Sequence, residues 1–148
     1  GRAGAAREEG GFSYRNAQVL EIGGEVAAML IDYKLDDPYD TGDLSELPEM
    51  VRPLVELEAK APGSWYVNVI ATFPEFRSQG LGGRLLGLAD ERGRAQDARQ
   101  ASIIVASENQ GAMRLYARTG YAEVARAPVV EFPGCAHGGD WVLMTKPI

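Results

Sequence analysis

The chain of 148 residues holds a single cysteine, Cys135, and a single histidine, His137. A lone cysteine cannot close an internal disulfide, and the expectation is a reducing, cytoplasmic setting. One Cys and one His two residues apart, with no second pair, do not make a zinc site, so no metal is expected. Nor do they make a nucleophilic dyad, because adjacent spacing in Pro133-Gly134-Cys135-Ala136-His137-Gly138-Gly139 does not orient a base against a thiol. Long hydrophobic runs are missing too. None approaches the roughly 20 apolar residues of a bilayer span, and Gly1-Arg2-Ala3-Gly4 has no apolar signal core, so no membrane partner is expected. Cations are fewer than anions, Lys+Arg 15 against Asp+Glu 21 for a net charge of −6. They form no cluster that would track phosphates, which argues against a nucleic-acid partner.

What remains is ordinary for one globular unit: residues 1–148 with 45% hydrophobic content are expected to form a single domain. Gln18 to Ile22 and Glu25 to Leu35 are β-rich runs joined by Gly23-Gly24, a strong hairpin signal. Residues 36–47 are acidic and turn-forming, and read as a loop. The spacing of Met50, Leu54 and Leu57 predicts a helix from Pro48 or Glu49, ended by Ala61-Pro62-Gly63. Leu81, Leu85, Leu88 and Ala89 form the apolar face of a helix running to about Ala98. Asn109 caps a short helix that Gly120 ends. Two final strands, about Tyr121 to Glu131 and Asp140 to Lys146, complete the pattern.

The chemistry is concentrated between Trp65 and Gly83. An apolar strand, Trp65-Tyr66-Val67-Asn68-Val69-Ile70-Ala71-Thr72, breaks at Phe73-Pro74, and Arg77-Ser78-Gln79-Gly80-Leu81-Gly82-Gly83 then enters a helix. The first N–H groups of a helix have no partner inside it and lie at the positive end of its dipole, where a phosphate fits. Gly80, Gly82 and Gly83 remove Cβ atoms where backbone would touch ligand oxygens, and Arg77 adds a donor fork. A glycine turn that only lets a helix pack close to a sheet is an equal reading of the loop alone. Gly80 is not followed by the Lys and Ser/Thr of a nucleoside-triphosphate loop. The acidic residue of a dinucleotide site is missing as well.

Arg77-Ser78-Gln79-Gly80-Leu81-Gly82 resembles the cofactor loop of the GCN5-related N-acetyltransferase superfamily, [R/Q]-x-x-G-x-[G/A]. Asn109-x-x-Ala112-x-x-Leu115-Tyr116-x-x-x-Gly120-Tyr121 is similar to that family's second motif, in the right order. The resemblance implies an α/β fold with a mixed, mostly antiparallel central sheet flanked by helices, parallel only where the two cofactor strands run side by side. Only Gly1 to Gly11 precede the hairpin, so the family's opening strand and helix are expected to be missing or trimmed.

The same resemblance implies acetyl-CoA as acyl donor and direct transfer of acetyl to a primary amine of a small molecule or peptide. Main chain at Ile70, Ala71 and Thr72 would bind the pantetheine arm. Residues Arg77, Ser78, Gln79, Gly80, Leu81, Gly82 and Gly83 would bind the phosphates, and Asn109 the arm. Tyr116 would protonate or hydrogen-bond the departing thiolate. Read alone, Asn109 is a helix cap and Tyr116 a half-buried aromatic. No Glu stands at Asn68 or Ile104, where a base would be sought. A water relay from Asn68, a main-chain carbonyl, Asp32, Glu56, Glu58 or His137 is left to serve. The missing Glu keeps open a non-catalytic acyl-CoA-binding regulatory or sensor domain. A homodimer is implied by the family, with Val129, Val130, Phe132, Trp141 and Leu143 either at its contact or in the core.

Overall fold

A computed structural model describes residues 16–131 and 138–148. Strands β1 (Ala17–Ile22) and β2 (Glu25–Lys34) form the expected hairpin. Its turn residues Gly23 and Gly24 have φ of 61° and 83°, the left-handed pair a tight hairpin turn requires. There follow helix α1 (Arg52–Glu58), strand β3 (Trp65–Thr72), helix α2 (Leu81–Ala95), strand β4 (Gln100–Ala106), helix α3 (Gln110–Arg118), and strands β5 (Ala122–Pro128) and β6 (Asp140–Pro147). They build a six-stranded sheet in the order β1-β2-β3-β4-β6-β5. Every neighbouring pair is antiparallel except β3 and β4, which are parallel. Helix α2 makes the crossover that a parallel pair needs. None of the helices described is long and apolar enough to cross a membrane.

Alternation along the strands divides the core between the two sheet faces. Trp65 and Val67 of β3, Ile103 and Val105 of β4, and Val142 and Met144 of β6 pack with Leu81, Leu85, Leu86 and Ala89 of α2 and Tyr116 of α3. Leu85 and Leu86 are fully buried, each contributing about 1.5–3 kcal/mol of transfer free energy. The alternate residues Ile104, Trp141 and Leu143 face the other way and pack with Leu57 and Ala61, on and just after α1. Helices α2 and α1 therefore lie on opposite faces. Leu143 is wholly buried there, so of the two readings for that strand it takes the core.

Three element ends differ from the sequence expectation. Helix α1 starts at Arg52 rather than at Pro48 or Glu49, because Pro53 has no N–H and occupies the first turn, with Pro48 to Val51 forming a separate turn before it. Met50 consequently stays exposed. Helix α2 ends at Ala95, before Asp97 with φ 60° reverses the chain. Strand β5 ends at Pro128, which cannot donate to a ladder.

Candidate active site

Strands β3 and β4 pair through Trp65 with Ala101, Tyr66 with Ser102 and Val67 with Ile103, and then separate. The cause is local. On β2, Ile31 pairs with Val69 and the next residue, Asp32, with Val67, so Asn68 is an extra residue bulged out of β3. A bulge bends its strand and raises its twist. Beyond it β3 follows β2, through Ile70, Ala71 and Thr72, while β4 follows β6 through Ile104, Val105 and Ala106. Between the diverging strands lies a slot of about 250 Å³, lined by Asn68 and Ile70 on one side, Ile104 and Val105 on the other, and Asn109 and Tyr116 from the loop and helix beyond β4. The edge of β3 from Asn68 to Thr72 has no partner in β4.

At the end of that edge the chain turns through Pro74–Phe76 into the glycine loop. Ser78 and Gly80 have φ of 65° and 73°, and Gly80 is the N-cap of α2. A serine held in the left-handed region is strained, a condition that gathers at ligand-binding turns. Among the described residues no side chain caps this helix, so the amides of its first turn remain available. On the opposite wall Asn109 Oδ1 accepts the Ala112 N–H at 3.2 Å, capping α3. Tyr116 is 7% exposed, and burial raises its hydroxyl above the usual phenol range. Its ring lies 6.1 Å from that of Tyr121. Lys146 stacks on Tyr121 at 5.5 Å, donates to Asp90 at 2.5 Å and to the Thr119 carbonyl at 2.9 Å, and so ties the end of α3 to α2 and β6.

A second cleft, of about 520 Å³, opens on the α1 face and shares Asn68, Ile104 and Trp141 with the slot. Its remaining lining is Tyr33, Tyr66 and the α1 side, from Val51 to Glu58. Glu58 accepts a hydrogen bond from the Tyr39 hydroxyl at 2.7 Å. Tyr33 and Tyr66 meet edge to face at 5.7 Å, and Asn68 Nδ2 donates to the Tyr33 hydroxyl at 3.3 Å. Burial first, and then the Glu58 charge, raise the hydroxyls of Tyr33 and Tyr66. That of Tyr39 is raised by burial and by its bond to Glu58.

Residues 6–121 match the model of the acetyltransferase (GNAT) family. The chain belongs to this family. Solved structures share its fold. An acetyltransferase at 23% identity has a TM-score of 0.66, covering 98% of this chain and 76% of its own. An agmatine N-acetyltransferase at 18% identity scores 0.73, covering 91% and 77%. A GNAT acetyltransferase from Elizabethkingia anophelis with acetyl-CoA bound, at 16% identity, scores 0.61 over 89% and 75%. No protein of curated function matches the chain in sequence.

Within this GNAT domain the expected residues fall into three groups. Ile70, Asn109 and Tyr116 line the slot, and Ala71 and Thr72 continue the free edge of β3. Arg77, Ser78, Gln79 and Gly80 are exposed in the loop, Gly82 and Gly83 are half-buried, and Leu81 is a core side chain that offers only its amide. The candidate bases separate sharply. Asp32 is wholly buried, accepts from Trp65 Nε1 at 2.7 Å and pairs with Arg92 at 3.1 Å, which holds β2, β3 and α2 together and leaves it no role as a base. Glu56 is exposed on α1, and His137 and Cys135 lie outside the described residues. Glu58 alone of the named carboxylates lines the second cleft. Tyr33, Tyr39 and Tyr66 escaped sequence reasoning, since strand aromatics carry no mark of which cleft they meet. Trp141, read as contact or core, borders both clefts.

Proposed function

We propose that the protein is an acetyl-CoA-dependent N-acetyltransferase that moves acetyl directly from the thioester to a primary amine of a small molecule or peptide. The observation that carries this reading is the divergence of β3 and β4 at the Asn68 bulge. It leaves one slot that reaches Asn109 and Tyr116 and shares Asn68, Ile104 and Trp141 with a second cleft. The Elizabethkingia anophelis relative with acetyl-CoA and the agmatine N-acetyltransferase support donor and acceptor class respectively.

The residues present suit the donor. The free edge of β3 can take the amide-bearing pantetheine arm as an added strand. Gly83, in the first turn of α2, has nothing within 4 Å of where a Cβ would stand, so oxygens can approach its backbone. Arg77 and the first amides of α2 would hold the phosphates, and Asn109 the arm. In the reaction a C–N bond forms and the C–S bond breaks; the ammonium acceptor gives up two protons, one retained by the CoA thiol and one released to water.

Tyr116 serves the leaving group as a hydrogen-bond donor. A thiol is ordinarily more acidic than a phenol by about 1.5 pKa units, and burial raises the Tyr116 hydroxyl further. It therefore keeps its proton and steadies the developing thiolate rather than surrendering the proton outright. Isothermal titration with acetyl-CoA and with CoA, followed by thiol release over an amine panel, tests the proposal. Binding with turnover is expected. Binding with no turnover on any amine favours an acyl-CoA sensor, and no binding overturns the reading of Arg77 to Gly83.

A further inference from the structure

We propose that the preferred acceptor carries a second cationic group, separated from the reacting amine by a short hydrocarbon spacer, and that Glu58 is the residue that recognises this second cation. The inference rests on the acetyl-transfer reading above, and adds the acceptor's chemistry to it. The lining of the second cleft is of three kinds. Asn68, Ile104 and Trp141 are shared with the slot, where the amine would meet the thioester. Val51, Leu54 and Val55, in and just before α1, are aliphatic. Glu58 brings a carboxylate, and no Lys or Arg is among the lining residues described.

Glu58 is prepared for a ligand in this position. The Tyr39 hydroxyl donates to Oε1 at 2.7 Å and the Tyr66 side chain also hydrogen-bonds to Glu58, which together fix the carboxylate while its remaining lone pairs can accept from a cation. Tyr33 and Tyr66 line the same space and bring no positive charge to it. Glu58 and Tyr33 also border a further cavity of about 370 Å³ whose lining includes Lys34, Asp36 and Asp40. Lys34 is engaged, donating to the Gln96 carbonyl at 3.2 Å. The carboxylates that line the cavities around Glu58 outnumber the one lysine, a balance that draws a cation and repels a carboxylate.

A cleft that offers aliphatic surface and one carboxylate suits a diamine and fails to match an amino acid, whose own carboxylate would meet Glu58. A simple monoamine would fill the aliphatic wall and leave Glu58 without its cation. A volume of about 520 Å³ is within the ordinary range for a small-molecule site.

The test uses diaminobutane, butylamine and aminobutanoate, which share a carbon chain and end in a cation, a methyl group and an anion. Each is titrated by calorimetry into the full chain saturated with CoA, for wild type, Glu58→Gln and Glu58→Lys. Wild type is expected to bind diaminobutane about tenfold or more tighter than butylamine, and aminobutanoate most weakly. Glu58→Gln should erase the preference for diaminobutane, and Glu58→Lys should turn it toward aminobutanoate, with acetyl-CoA affinity unchanged in both. Equal binding of diaminobutane and butylamine, or an unaltered preference in Glu58→Gln, overturns the inference while acetyl-CoA binding keeps the transferase reading in place. Loss of acetyl-CoA binding in the wild type would instead remove the reading on which it rests.

Discussion

Leu115 Cδ2 lies 3.0 Å from where a Cβ on Gly82 would stand, whereas a Cβ on the next residue, Gly83, would meet nothing within 4 Å. The two adjacent glycines of the loop therefore have different reasons. Gly82 lets α2 and α3 approach, which is the packing role; Gly83 has no packing role and leaves the helix terminus open to a ligand.

Gly83→Asp is the variant that separates these roles. Replacing glycine in a helix and adding an anion to the first turn should hold or raise stability by about 0.3–1 kcal/mol. The same carboxylate would oppose the donor's phosphates, and acetyl-CoA affinity should fall by about tenfold or more. Thermal melts and titration calorimetry on the same sample decide it. Unchanged affinity would return the loop to a purely structural role.

Arg77 is exposed, and its removal should leave folding alone. Arg77→Ala is expected to weaken acetyl-CoA binding about tenfold, the scale of one charge-assisted hydrogen bond, with no change in Tm. The deficit should shrink at high salt, where the wild-type contact is itself screened.

Tyr116→Phe should keep acetyl-CoA affinity and lower kcat by about a hundredfold, because the lost donor acts on charge that develops only as the C–S bond breaks. Burial raises this hydroxyl above the usual phenol range, which favours its protonated, donating form. A fall in wild-type kcat between pH 8 and 10 that vanishes in Tyr116→Phe would contradict this assignment.

Asp32 is structural. Asp32→Ala strands the Trp65 Nε1–H and the Arg92 charge on the face of α2 that holds the core, and should cost about 2–4 kcal/mol. Acetyl-CoA affinity of the folded fraction should be unaffected. Urea unfolding gives the first quantity and calorimetry below the transition the second.

Local chemistry explains why so much of this site is legible in the sequence. The Gly23-Gly24 hairpin, the broken strand before Pro74, the glycine entry to α2 and the Asn109 cap each depend on residues within a few positions of one another. Backbone preferences act at that range. Helix ends were read less well for the same reason. The periodic run from Met50 predicts a longer α1, but a proline in its first turn outweighs hydrophobic spacing. Among the proposed bases, nothing local distinguishes Asp32 from Glu58. One is buried against Arg92 and Trp65, the other borders a cleft, and the partners that make the difference are distant in sequence.

By itself the sequence determined the family, the strand-loop-helix unit and the cap that opens α3, since each is encoded by short-range steric and hydrogen-bonding rules. Only the tertiary structure decided where β3 leaves β4, because a bulge exists only in the register between two strands and Asn68 carries no mark of it alone. The second cleft is likewise a product of three-dimensional packing. Helix α1 and strands β2, β3, β4 and β6 each contribute to the lining, and burial and charge complementarity between such elements cannot be read from any one of them.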